Sequence, residues 1–136
     1  MNMKNSIKYG HYNCLLCGDN NPWSLGLDYR LLDDGRVYTG FKGNKTLQGY
    51  NGILHGGVIS ALLDSAMVHC LFHHNIEAVT AEMTIRFIQS IPFDAPLKAY
   101  GKIVEDHKFL FYTESELICN NSIMAKAKAK FMRKAR

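Results

Sequence analysis

With 136 residues and 47% apolar content, the chain can bury one proper core, which predicts a single domain over residues 1–136. A formal net charge of +4 is mild, and no recognised nucleic-acid module accompanies it, so no nucleic-acid partner is expected. No uninterrupted apolar run approaches the roughly 18 to 20 residues of a membrane span, and the first ten residues lack an apolar core of signal-peptide length, so no membrane partner and a cytoplasmic location are expected.

In chain order, residues 1–13 carry no periodic pattern and read as a loose N-terminal arm. Cys14-Leu15-Leu16-Cys17-Gly18 and the turn-rich Asp19-Asn20-Asn21-Pro22 follow. Leu25 to Leu32 and Arg36 to Phe41 read as two strands joined by a hairpin turn at Asp33-Asp34-Gly35. A polar, glycine-bearing loop then leads to Gly52-Ile53-Leu54-His55-Gly56-Gly57 and a helix from Val58 to Phe72, stopped near His73-His74-Asn75. Beyond it come only extended segments: Ala78 to Ile88, Leu97 to Val104, Phe109 to Cys119 and Ser122 to Phe131. The connections near Glu105-Asp106-His107 and at Asn120-Asn121 are short, so neighbouring strands should run antiparallel. One long apolar helix followed by an antiparallel meander predicts an α+β architecture in which a curved antiparallel sheet wraps a central helix.

Between Val58 and Phe72 the strongly polar side chains are Ser60, Asp64, Ser65 and His69, too few for the hydrophilic stripe of a surface helix. The helix should therefore be wrapped. Asp64 is the residue to explain, because a carboxylate is costly to desolvate and is rarely buried without a partner or a task. Gly56 and Gly57 remove side chains where the first free backbone N–H groups point outward, which lets a ligand oxygen approach them and the positive end of the helix dipole.

The series Cys14-x-x-Cys17-Gly18, Asn21-Pro22, Gly26-Leu27, Gly49-Tyr50-x-Gly52-Ile53-x-His55-Gly56-Gly57, Leu63-Asp64 and Val79-Thr80-Ala81-Glu82-Met83 resembles the hot-dog fold acyl-CoA thioesterases of the phenylacetate-degradation type. The likeness runs over roughly residues 14 to 132. Its most specific part is His55-Gly56-Gly57 with an acid nine positions after the histidine, Asp64. It implies hydrolysis of an acyl-CoA or related acyl thioester, without cofactor or metal, in a homodimer or a dimer of dimers.

From Gly56 to Asp64 is about 12 Å along a helix axis, so one chain cannot readily bring both groups to a single thioester carbonyl. A site shared between two subunits resolves the distance. The resemblance implies that the Gly56 N–H, with Gly57 close by, donates to the thioester oxygen, and that Asp64 acts as general base or as nucleophile. It further implies that His55 orients the glycine turn or hydrogen-bonds near the carbonyl, and that Thr80 positions the attacking water. Related enzymes carry Asn or Gln six positions before the histidine. Here Gly49 stands there, leaving Gln48 and Asn51 as candidate carbonyl ligands, while Met67, Phe72 and Phe87 are candidate walls of the acyl groove.

The basic tail from Lys126 to Arg136 suits an outward strand face or, through Lys126, Lys128, Lys130 and Arg133, a site for coenzyme A phosphates. Cys14 and Cys17 lack a second Cys-x-x-Cys, and His69 and His73 would complete a ligand set only if the fold brought them together, so no metal is expected. Cys70 and Cys119 read as small core residues. The alternative to catalysis is a hot-dog protein that binds acyl-CoA as sensor or carrier.

Overall fold

A computed structural model describes residues 5–135. Its core is an 18-residue helix, Gly56–His73, and a six-stranded antiparallel sheet. In chain order the elements are α1 (Asn5–Lys8), β1 (Arg30–Leu31), β2 (Val37–Lys42), α2 (Gly56–His73), β3 (Ala78–Phe87), β4 (Pro96–Asp106), β5 (Leu110–Cys119) and β6 (Ser122–Arg133). The sheet order is β1-β2-β4-β5-β6-β3, so the strand that follows the helix crosses over to the far edge, beside β6. This is the hot-dog arrangement: α2 packs against β2 through β6, and the sheet bends around it.

The helix is wrapped because its apolar residues face several directions. Leu62, Leu63, Ala66, Met67 and Cys70 are all fully buried. By length and composition alone α2 would suffice to cross a membrane, but here it is the core of the domain. Opposite it, β6 alternates buried Ala125, Ala127, Ala129 and Phe131 with exposed Lys126 and Lys128 and half-buried Lys130, the period-two pattern of a sheet with one solvated face. The close approach of sheet to helix is set at Gly101 of β4, where an added Cβ would lie 2.3 Å from the Ala66 carbonyl oxygen. The β5–β6 turn is made by Asn120 and Asn121 at φ 49° and 66°, the left-handed pair that a tight hairpin demands and asparagine tolerates.

Three expectations change. Of the predicted strand Leu25–Leu32, only Arg30–Leu31 joins the ladder. The residues before it pair instead with the cysteine turn, Leu25 N–H donating to Leu15 O and Leu27 N–H to Leu16 O. The arm expected to be loose is packed in its second half. Tyr9 stacks on Phe72 with ring centroids 4.5 Å apart, and His11 meets the same ring edge-on at 5.0 Å. A short 3-10 turn, Lys45–Leu47, capped by Asn44, shapes the loop that the sequence left without structure. Arg136 and residues 1–4 lie outside the described residues.

Candidate active site

The loop before α2 folds onto itself and delivers the helix N-terminus open to solvent. Gln48 holds that loop together: its Nε2 donates to Lys45 O at 2.9 Å, and its Oε1 accepts from Gly52 N–H at 2.6 Å. Gly52, at φ 84°, makes the reversal that L side chains rarely adopt. His55 is the N-cap, with Nδ1 accepting from Gly57 N–H at 2.8 Å. Of the two glycine amides, Gly57's is therefore already used inside the chain. Gly56, the first helical residue, has no intrahelical acceptor for its N–H. A Cβ built on Gly56 would meet the Phe87 ring at 3.7 Å (Cε1) and 3.9 Å (Cζ), ordinary contacts, so packing within its own chain leaves room for a side chain there.

Beside Gly56 lies an open groove of about 840 Å³, lined among others by Gln48, His55, Gly56, Ile59, Phe87 and Ile91. Phe87 is thus placed as a wall, and it is 54% exposed. Gln48 touches the groove, but both its polar atoms already have partners. Asn51 is exposed on the turn and outside that lining. Met67 is a correction to the expected groove: it is fully buried and its sulfur accepts from the Thr113 hydroxyl, which makes it core. Phe72 is likewise core, stacked beneath Tyr9.

Asp64 is two helical turns further on and does not line this groove. It is half-buried, and Thr80 Oγ1 on β3 donates to its Oδ1 at 2.6 Å. Burial pushes the Asp64 carboxyl above its ordinary pKa, while the Thr80 hydroxyl and the positive field of His11 pull the other way. Ser60, four residues before Asp64 on the same helix, donates to Gly56 O at 2.8 Å. The chain therefore joins Asp64 to Thr80 and His55 to the glycine pair, as two clusters at the two ends of the first half of α2. Both clusters touch β3, at Thr80 and at Phe87, and β3 is an edge strand.

The basic residues of β6 lie elsewhere. Lys126 stands opposite Glu116 and Arg86, Lys128 opposite Glu114, and Lys130 opposite Glu82, a ladder of mostly compensating charges on the face away from the helix. The concavity on that face shares no lining residue with the groove beside Gly56.

At the other end of α2 is a cluster the sequence reading did not assemble. His11, Cys14 and Cys17 bring their ligand atoms within 4.8 Å of one another. The spacing His11-x-x-Cys14-x-x-Cys17 was the available signal. His73, considered beside His69, is engaged elsewhere, its Nε2 lying 3.1 Å from Tyr29 O.

A sequence model of the thioesterase superfamily matches residues 51–123, more than half the chain. A protein of Saccharolobus solfataricus, named by inference as an esterase, is 27% identical over 106 residues, covering 76% of this chain and 70% of that one. The crystal structure of RHA08564, a thioesterase superfamily protein, superposes with a TM-score of 0.84 at 21% identity over 89% of this chain; the chain spans 60% of that protein's length. Smu.793 from Streptococcus mutans UA159, solved bound to acetyl-CoA, superposes with a TM-score of 0.74 at 21% identity, over 81% of this chain and 90% of that one. At such identities the structural likeness establishes the fold, and the sequence match establishes the family: the chain belongs to the hot-dog thioesterase superfamily.

Proposed function

We propose that this protein hydrolyses an acyl-CoA, or a related acyl thioester, at sites shared between two subunits, with Asp64 activating water and the Gly56 N–H stabilising the oxyanion. The observation that carries this reading is the half-buried Asp64 held by Thr80 at 2.6 Å, on the same helix whose N-terminus leaves a bare amide facing an open groove.

The edge strand β3 supplies a way to join the two clusters. Its outer edge is unpaired among the described residues, and Val79 and Phe87 on it are 52% and 54% exposed. Exposed edges of this length invite pairing. An antiparallel two-fold pairing of β3 with its copy, centred on Thr84 and with the bulge between Thr80 and Glu82 taking up one residue, sets Thr80 of one protomer opposite Phe87 of the partner subunit. Asp64, tied to Thr80, then comes beside the partner's Gly56, next to that Phe87.

The chemistry follows from the placement. Water attacks the thioester carbon and passes its proton to Asp64, whose raised pKa suits it to accept one. The carbonyl electrons move onto oxygen, where the Gly56 N–H and the helix dipole receive the charge. Collapse of the tetrahedral intermediate expels the thiolate, and the proton on Asp64 is available to it. His55 acts through the backbone, holding the glycine turn by its bond to Gly57 N–H. Smu.793 is the precedent for coenzyme A binding on this fold.

One observation favours a second reading, binding without turnover. Gly49 offers no side-chain amide to the substrate carbonyl, and the neighbouring Gln48 amide is engaged in the loop. Thiol release from a panel of acyl-CoA esters separates the two. The hydrolase reading expects turnover that Asp64→Asn abolishes; tight binding with no release by the unaltered protein supports the carrier, and wild-type rates in Asp64→Asn overturn the mechanism.

A further inference from the structure

The cysteine turn near the N-terminus remains unaccounted for by hydrolysis. Cys14-Leu15-Leu16-Cys17-Gly18 is a tight reversal in which Gly18 N–H returns to Cys14 O at 2.9 Å and Leu16 N–H donates to Cys14 Sγ at 3.3 Å. An added Cβ on Gly18 would lie 2.4 Å from Cys14 N, so the turn closes only with glycine there. It aims Cys17 Sγ at His11 Nδ1 across 3.6 Å.

That separation can be compared with a metal site. Zinc bonds of about 2.3 Å to sulfur and about 2.0 Å to imidazole nitrogen, opened to the tetrahedral angle, separate the two ligand atoms by about 3.5 Å. Cys14 Sγ lies in the same group, all three ligand atoms being within 4.8 Å of one another. A second observation points the same way. His69 is 5% exposed, its ring lies 6.3 Å from that of His11, centroid to centroid, and its Nε2 is buried with no hydrogen-bond partner among the described residues. Buried imidazole nitrogens are seldom left unpartnered.

We infer that His11, Cys14 and Cys17 form a structural zinc site, with His69, whose Nε2 stands outside the 4.8 Å group, turning inward as the fourth ligand. On binding, the two S–H bonds ionise, both protons pass to the buffer, and the sulfurs and imidazole nitrogens donate lone pairs to the ion; no oxidant is involved. The ion would tie the N-terminal segment to the C-terminal half of α2, where His11 already touches Phe72 and His69. Borderline-soft zinc suits thiolate and imidazole better than the hard cations do.

The test is elemental analysis of protein purified under reducing conditions, with cobalt(II) titration of the metal-stripped protein. The expected result is one zinc per chain, about two protons released per ion bound, and a thiolate-to-cobalt charge-transfer band with tetrahedral visible absorption. Cys14→Ser, a near-isosteric change at a half-buried position, should lower metal affinity more than tenfold with the far-UV spectrum unchanged; His11→Ala should do the same if Cys17→Ser fails to fold. Protein that retains no zinc after supplementation and dialysis overturns the site. So does Cys14→Ser that binds cobalt like the wild type, or a Cys14–Cys17 disulfide in place of metal.

Discussion

Replacing Gly56 by proline removes one hydrogen-bond donor from the start of α2 and disturbs little else. Gly56 is the first helical residue, where proline is favoured because the missing N–H has no intrahelical acceptor. The preceding residue, His55, sits at φ −61° and ψ 134°, within the extended region that a residue before proline prefers. The new Cβ meets Phe87 at an ordinary 3.7 Å. Stability should therefore change by no more than about 1 kcal/mol, measured by urea unfolding. If the amide receives the oxyanion, kcat for thioester hydrolysis should fall by about 10²- to 10³-fold, on the order of 3 kcal/mol in the barrier. Gly56→Ala keeps the donor but adds a methyl group where the ligand oxygen must approach, so it should lose markedly less rate than the proline variant. A folded Gly56→Pro with wild-type kcat refutes the assignment, and so does an alanine variant as damaged as the proline one.

Three further outcomes follow from the same geometry. Asp64→Asn should abolish turnover and leave the melting temperature at pH 7 equal or higher. Because burial raises the folded pKa, this carboxyl's favourable contribution is complete below the ordinary carboxylate range and is lost as pH rises through the raised value; a clear drop in melting temperature would contradict that. Thr80→Val removes the 2.6 Å bond that favours the ionised acid, so the acidic limb of the kcat/KM profile should move to higher pH, whereas Thr80→Ser should leave it in place. Gly101→Ala forces a methyl to within 2.3 Å of the Ala66 carbonyl oxygen and should cost about 1–3 kcal/mol in chemical unfolding, and no cost would mean that the sheet and helix adjust freely there.

Much of the fold was legible because its signals are periodic. Alternating Ala and Lys in β6 and the nearly all-apolar run after Gly57 each permit one packing, and the boundaries of α2 and β3 fall within two residues of those predicted. The crossover of β3 to the far side of β6 was not legible, since no local pattern states which strand a given edge will meet. In the site, Asp64 stood out as a carboxylate in apolar surroundings and Thr80 was expected to position water; the hydrogen bond between the two depends on that crossover. Met67 was misassigned because apolar residues on a wrapped helix look alike in sequence; only packing separates core from groove wall. The use of Gln48 inside its own loop was invisible for the related reason that a side-chain amide can satisfy its own backbone as readily as a ligand.

The central claim is that each site takes its acid from one chain and its amide from another, and subunit mixing tests it most directly. Asp64→Asn and Gly56→Pro are each expected to be inactive as homodimers. Mixed in equal amounts and allowed to exchange, half of the dimers pair one of each, and each such dimer rebuilds one intact site of two, so about one quarter of wild-type activity should return. Mixed dimers shown by native mass spectrometry to have formed, with activity no higher than that of the parents, would contradict a site shared between subunits.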